Sequence, residues 1–133
     1  IEKGVPTSVR IDPVIPFLND NQERLIQTLA SLGVKHVTAS TYKVKPDNWR
    51  RFAAAIPQIA SRVRALYFEQ GERLGNSIYL PRSWRTKLMG QMLASAKRFG
   101  IEFATCREGL NQMNTAVCDG SWLLKKLSNA KNG

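Results

Sequence analysis

The sequence predicts an α/β chain built on a three-stranded parallel sheet. Short β-branched or apolar runs recur at residues 9–15, 34–40 and 101–106. The text between them has helical periodicity. Strand, helix, strand within about thirty residues is a βαβ unit, whose strands run parallel through a right-handed crossover.

The first run, VRIDPVI, alternates Val9 and Ile11 against Arg10 and Asp12, and Pro13 and Pro16 end it. Proline cannot donate to a central ladder, and the alternation puts Arg10 and Asp12 on one face. In NDNQERLIQTLASLG, Asn19 or Asp20 is the expected N-cap, with Glu23 completing a capping box and Gly33 the stop. Leu25, Ile26, Leu29 and Leu32 form its apolar stripe. VKHVTAS is the second strand. The text from Lys45 to Gly71 is helical but broken by Pro57, so two helices are expected, 47–56 and 58–71. ERLGNSIYLP reads as a loop of functional length. Pro81 opens a long helix, 83–99, stopped by Gly100, and the third strand follows. After Arg107 a loop, a short final helix and a frayed basic tail at 125–133 are expected.

The order β-α-β-α-α-β in 133 residues is one domain. Three strands make a thin sheet, because a parallel sheet buries both faces. The pattern therefore reads as half of a barrel, such as a TIM-like (β/α) barrel, or of a doubly wound sheet rather than a finished one. Composition narrows the classes further. Hydrophobic residues at 43% and charged residues at 23% exclude a disordered chain. No apolar run approaches the roughly 20 residues that cross a bilayer, and no signal-peptide pattern opens the chain. With only two cysteines there is no disulfide framework, so a cytoplasmic compartment is expected. A net charge of +10 favours polyanionic partners, DNA or RNA.

Sites in such folds gather at the C-terminal ends of the strands. Those ends carry Arg10 and Asp12, then Thr38, Ser40 and Thr41, then Thr105, Cys106, Arg107 and Glu108. Arg10 and Asp12 equally fit a structural ion pair. His36, the only histidine, fits a hydrogen-bonded packing residue better than a base. Cys106 and Cys118, with eleven residues between them, fit free thiols, a disulfide, or two ligands of a site completed by another chain or segment. NWRRF and PRSWRTK place Trp49 and Trp84 beside Arg50, Arg51, Arg82 and Arg85. Such pairs stack on bases and hold phosphates, or anchor a helix to the core with arginines reaching solvent. No Walker loop, dinucleotide fingerprint or metalloprotease motif is present.

VRIDPVIPFLND, GVKHVTASTYKVKPD, LYFEQGERLGNSIYLP and FATCREGLNQMNTAVCDGSWLL together resemble the C-terminal half of radical S-adenosylmethionine proteins. The group is that of spore photoproduct lyase, often labelled DNA repair photolyase, in its archaeal form. The resemblance covers about residues 8–124. It implies a partial (β/α) barrel whose N-terminal half binds a [4Fe-4S] cluster through a Cys-x-x-x-Cys-x-x-Cys loop. In that family the cluster cleaves S-adenosylmethionine to a 5'-deoxyadenosyl radical that takes hydrogen from the substrate. This chain lacks the triplet, so it is expected to be inactive alone and to hold no metal by itself. By position, Arg10, Asp12, Thr38, Ser40 and Thr41 are the implied cofactor residues, and Cys106 and Cys118 the catalytic candidates. Arg50, Arg51, Arg82 and Arg85 are the nucleic-acid candidates. A cluster-bearing half or a second copy of the chain is the expected partner. The alternatives are a non-enzymatic nucleic-acid-binding module and a structural half-barrel that oligomerises.

Overall fold

The β-branched runs pair as the parallel-strand pattern requires. The structure is a computed structural model that describes residues 5–119, 121 and 123. Its main sheet has β1 (Ser8–Val14), β2 (His36–Thr41) and β5 (Glu102–Thr105) in the order β1-β2-β5, all parallel. Four helices connect and cover it: α1 (Glu23–Ser31), α2 (Pro46–Ala55), α3 (Pro57–Phe68) and α4 (Arg82–Arg98). The expected final helix and basic tail lie outside the described residues.

Two local expectations change. The ten-residue loop is a hairpin of β3 (Glu72–Leu74) and β4 (Ser77–Tyr79), tied to Val44 by paired backbone bonds with Ile78. Gly75 at φ 60 takes the first corner of its two-residue turn, a conformation glycine adopts without a Cβ clash. Secondly, α1 starts at Glu23, later than its expected cap. The Asn19 side chain instead accepts the Ile15 amide at 2.6 Å, and Asp20 accepts the Phe17 amide at 3.2 Å. These bonds hold the turn in which Phe17 sits at φ 68. The other end of α1 follows expectation, with Gly33 at φ 89 closing it.

Register fixes what each face of the sheet presents. Ser8 lies beside His36 and Arg10 beside Thr38, while His36 and Thr38 lie beside Glu102 and Ala104. Alternation then puts Val9, Ile11, Val37, Ala39 and Phe103 on the opposite face. Val37, Ala39 and Phe103 share one core with Leu88, Met89, Met92 and Ala96 of α4 and with Ile26 of α1. Only Ile26 of the expected α1 stripe is fully buried; Leu25 and Leu32 are exposed, because α1 rests on α4 along a single line. The α2–α3 pair adds Val63, Leu66 and Tyr67 to that core, and the Tyr67 hydroxyl bonds the Tyr42 carbonyl.

The second face of the sheet is polar yet dry. His36, Thr38 and Ser40 are 0%, 2% and 4% exposed. Their cover is the chain's own segment after β5, residues 106–118. Its two ends place their carbonyls on successive inward residues of β2. Thr38 Oγ1 donates to Cys118 at 2.7 Å and Ser40 Oγ to Cys106 at 3.1 Å, while a His36 ring nitrogen contacts the Val117 carbonyl at 2.9 Å. The same strap caps the outer edge of β5. Asn114 Oδ1 accepts the Thr105 amide at 2.7 Å, and Thr115 brackets Phe103 with bonds of 2.8 Å to both its amide and its carbonyl. At the other end of the sheet, no strand among the described residues pairs with the outer side of β1.

Candidate functional site

The C-terminal ends of β1 and β2 open on a polar pocket of about 330 Å³. Arg10, Asp12, Ser40, Thr41, Lys43 and Arg107 line it, with Lys45 and Asn48 at its rim. A larger hollow of about 520 Å³ lies between the start of α1 and α4, but its Glu23 and Arg98 already pair at 2.6 Å. At the strand-end pocket charged groups from β1, from the end of β2 and from the segment after β5 converge.

Arg10 and Asp12 leave β1 on the same face, as the alternation requires, and pair at 3.0 Å. The neighbouring Cys106 thiol, ahead of Asp12, makes the Arg10 guanidinium harder to deprotonate. Both side chains remain substantially open to solvent, so the pair is available to a ligand rather than sealed. The other three implied cofactor residues are placed differently. Thr38 lies beneath the strap. The hydroxyl of Thr41 is within hydrogen-bonding distance of both Glu108 oxygens, at 2.9 Å each, and Ser40 serves Cys106 and Glu108. They line or underlie the pocket while their hydroxyls serve the fold.

Glu108 is the buried centre of this region. Its side chain is 0% exposed, yet it accepts the Thr41 amide and the Lys43 ammonium at 2.6 Å each. Lys43 also donates to Ser40 Oγ and the Thr41 carbonyl, so its charge is tied to the end of β2. Asn48 then fixes the next turn: its side chain accepts the Lys45 amide at 2.8 Å and donates to the Lys43 carbonyl at 3.1 Å. Arg107, just before Glu108, is exposed at φ 60, a region that side chains other than glycine rarely occupy. The strap thus turns sharply, sending Glu108 inward and Arg107 out to the pocket.

His36 is packed away from this mouth. Its Nδ1 meets the Ser8 hydroxyl at 2.6 Å and its Nε2 the Val117 carbonyl at 2.9 Å. A neutral ring donating from Nε2 and accepting at Nδ1 suits both partners. Burial lowers its pKa, which favours that neutral form. The expected packing role describes this geometry.

The four arginines proposed for nucleic acid divide. Arg50 and Arg82 are exposed, and Arg51 is exposed in a 3.4 Å pair with Asp47. Arg85 is instead 3% exposed and engaged on three sides. It donates to the Leu80 carbonyl at 2.9 Å, to the Glu108 carbonyl, and to Glu72 at 2.7 Å. Helical periodicity turns Arg85 inward with Leu88, Met89 and Met92, which removes it from any phosphate-facing surface. Trp49 and Trp84 are half-buried: Trp49 packs on Phe52 and Phe68, and Trp84 on Phe17.

Cys106 and Cys118 come together. Burial, together with the neighbouring Cys106 thiol, pushes the Cys118 pKa up. Both are free thiols, Cys118 the more exposed. Among the described residues no three His, Cys, Asp or Glu side chains are grouped to hold a metal ion. Sequence reasoning missed Lys43, Lys45, Asn48 and the central place of Glu108. The lysines are ordinary surface residues by local pattern, and Glu108 meets Lys43 only through the fold. Comparison of the chain with protein-family models, with curated proteins and with solved structures finds no match.

Proposed function

We propose that the chain is the C-terminal portion of a radical S-adenosylmethionine, DNA-repair-lyase-like protein of half-barrel form. On this reading it shapes the cofactor and substrate side of a cytoplasmic enzyme whose iron–sulfur half lies on another segment or chain. The observation that carries the reading is the unequal treatment of the two sheet edges. The outer edge of β5 is closed by Asn114 and Thr115, whereas among the described residues no strand pairs with β1 on the side of Arg10 and Asp12. An unprotected edge is a template for another strand. A barrel continued on the β1 side would extend the polar face on which Arg10 stands.

Fit to the two implied cofactors differs. A [4Fe-4S] cluster needs three thiolates from this family's loop, and a chain with two cysteines does not supply them. No step is assigned to this chain through a cluster. S-adenosylmethionine fits better, because its amino-acid end carries a carboxylate and an ammonium side by side. Arg10 and Asp12 offer the complementary charges 3.0 Å apart at the pocket mouth. Bound there, the cofactor supplies hydrogen-abstracting chemistry to the completed enzyme. This chain's residues bind and orient it. Replacing Arg10 and Asp12 together by alanine is expected to weaken cofactor binding at least tenfold in calorimetry, about the loss of one charge-assisted hydrogen bond. Unchanged affinity in a variant with unchanged thermal stability overturns the assignment.

The substrate side of the proposal is nucleic acid. Lys43, Lys45 and Arg107 surround the mouth, and the Arg82 guanidinium lies beside Gly109 on the same strap. Cationic groups around one opening gain from counterion release on a phosphate backbone. Combining Arg82→Ala with Arg107→Gly, glycine being chosen to suit the positive φ, should flatten the slope of log affinity against log salt for an oligonucleotide by about 1–2. A slope equal to the parent's removes this rim from the interface.

A further inference from the structure

We propose that Cys106 and Cys118 are a dithiol that closes to an intramolecular disulfide and latches the strap across the polar face of the sheet. The placement comes from β2. Thr38 and Ser40 are two residues apart on one strand face, roughly 6.6 Å along it. One holds the carbonyl of Cys118 and the other that of Cys106. Disulfides span Cα separations of about 4.4–6.8 Å, and this anchoring places the two cysteines side by side over one stretch of β2. The two residues differ in exposure. Cys106 directly follows β5, with its amide on Ala39 and its carbonyl on Ser40, whereas Cys118 is exposed and can meet a reagent.

The oxidant is a low-molecular-weight disulfide. Cys118 attacks one of its sulfurs, forming a mixed disulfide and releasing one thiol. Cys106 then attacks the Cys118 sulfur, forming the internal bond and releasing the second thiol. Two protein thiols are oxidised, one disulfide is reduced to two thiols, and the two cysteine protons leave with them. The bond closes the loop that carries Arg107, Glu108, Asn114 and Thr115. It would hold both the cover over His36 and Thr38 and the cap on the edge of β5. This holds whether or not the polar face receives a cofactor.

The sequence permits a direct test. Trypsin cuts after Arg98, Arg107 and Lys125, so Cys106 and Cys118 fall in separate peptides, 99–107 and 108–125. The full chain is equilibrated with oxidised and reduced glutathione at several ratios, alkylated, and digested without reduction. The expected product is the two peptides joined, about 2 Da lighter than their sum, with a yield independent of protein concentration. Two glutathione adducts, or a link found only between copies, overturns the pairing. The latch is read separately by exchange of the Thr115 amide, which donates to Phe103. Oxidation should slow that exchange in the parent and leave it unchanged in Cys118→Ser. Equal exchange in the oxidised and reduced parent overturns the latch even where the bond forms.

Discussion

Replacing Lys43 by methionine is expected to cost about 3–5 kcal/mol of stability, because it strands the Glu108 carboxylate without its cation. Lys43 Nζ stands 2.6 Å from a side chain that is 0% exposed. The hydrogen bonds from Ser40 and Thr41 remain in the variant, but they do not neutralise a buried charge. The sign of the second substitution is the sharper test. Adding Glu108→Gln removes the charge while its amide oxygen can still accept from Thr41. The double variant should therefore regain most of the loss, ending within about 1–2 kcal/mol of the parent. Denaturant midpoints at constant slope give both numbers. Additive losses would mean that the two groups do not act on each other.

Arg85→Ala is expected to cost a similar amount, about 3–5 kcal/mol, for a related reason. One guanidinium ties three segments together: the carbonyl of Leu80 before α4, the carbonyl of Glu108 in the strap, and the Glu72 carboxylate in β3. Removing it leaves the Leu80 and Glu108 carbonyls without this donor in a place that water does not reach. Arg85→Lys should rescue little, because a point charge cannot reproduce a planar fork with three separate targets. Arg50→Ala, on an exposed face of α2, is expected to stay within about 0.5 kcal/mol of the parent. Thermal denaturation of the three variants side by side decides it. Equal, small losses at positions 50 and 85 would place Arg85 outside the core.

What the sequence disclosed and what it concealed divide along physical lines. The parallel strands and α4 were legible because local signals mark them: β-branched runs, Pro81 ahead of the helix and Gly100 at φ 72 after it. The facing of Arg10 and Asp12 followed from the two-residue period of a strand. The β3–β4 hairpin was hidden by its length, since three-residue strands such as Glu72–Leu74, exposed throughout, carry almost no periodicity. Its one signal was Gly75-Asn76 between the two runs. The start of α1 was misplaced because Asn19 and Asp20 have good capping chemistry but spend it on the turn before the helix. Arg85 was misread because an arginine at a helix start is usually solvated, and only tertiary packing turned it inward. The Lys43–Glu108 pair spans 65 positions and the polar cover of β2 about 80, so no local pattern could disclose either. The cysteines follow the same rule. Parallel pairing of β2 with β5 and the return of the strap bring them together, not their spacing.

The account's central claim is that the end of β1 is the cofactor-facing corner of a half-barrel. It is tested most directly by titrating the isotope-labelled chain with S-adenosylmethionine and following backbone amide resonances. The account predicts saturable shifts concentrated at Arg10, Asp12, Thr41, Asn48 and Arg107, lost when Arg10 and Asp12 are both alanine. An unchanged spectrum at millimolar cofactor, or shifts centred on the hollow between α1 and α4, would contradict it.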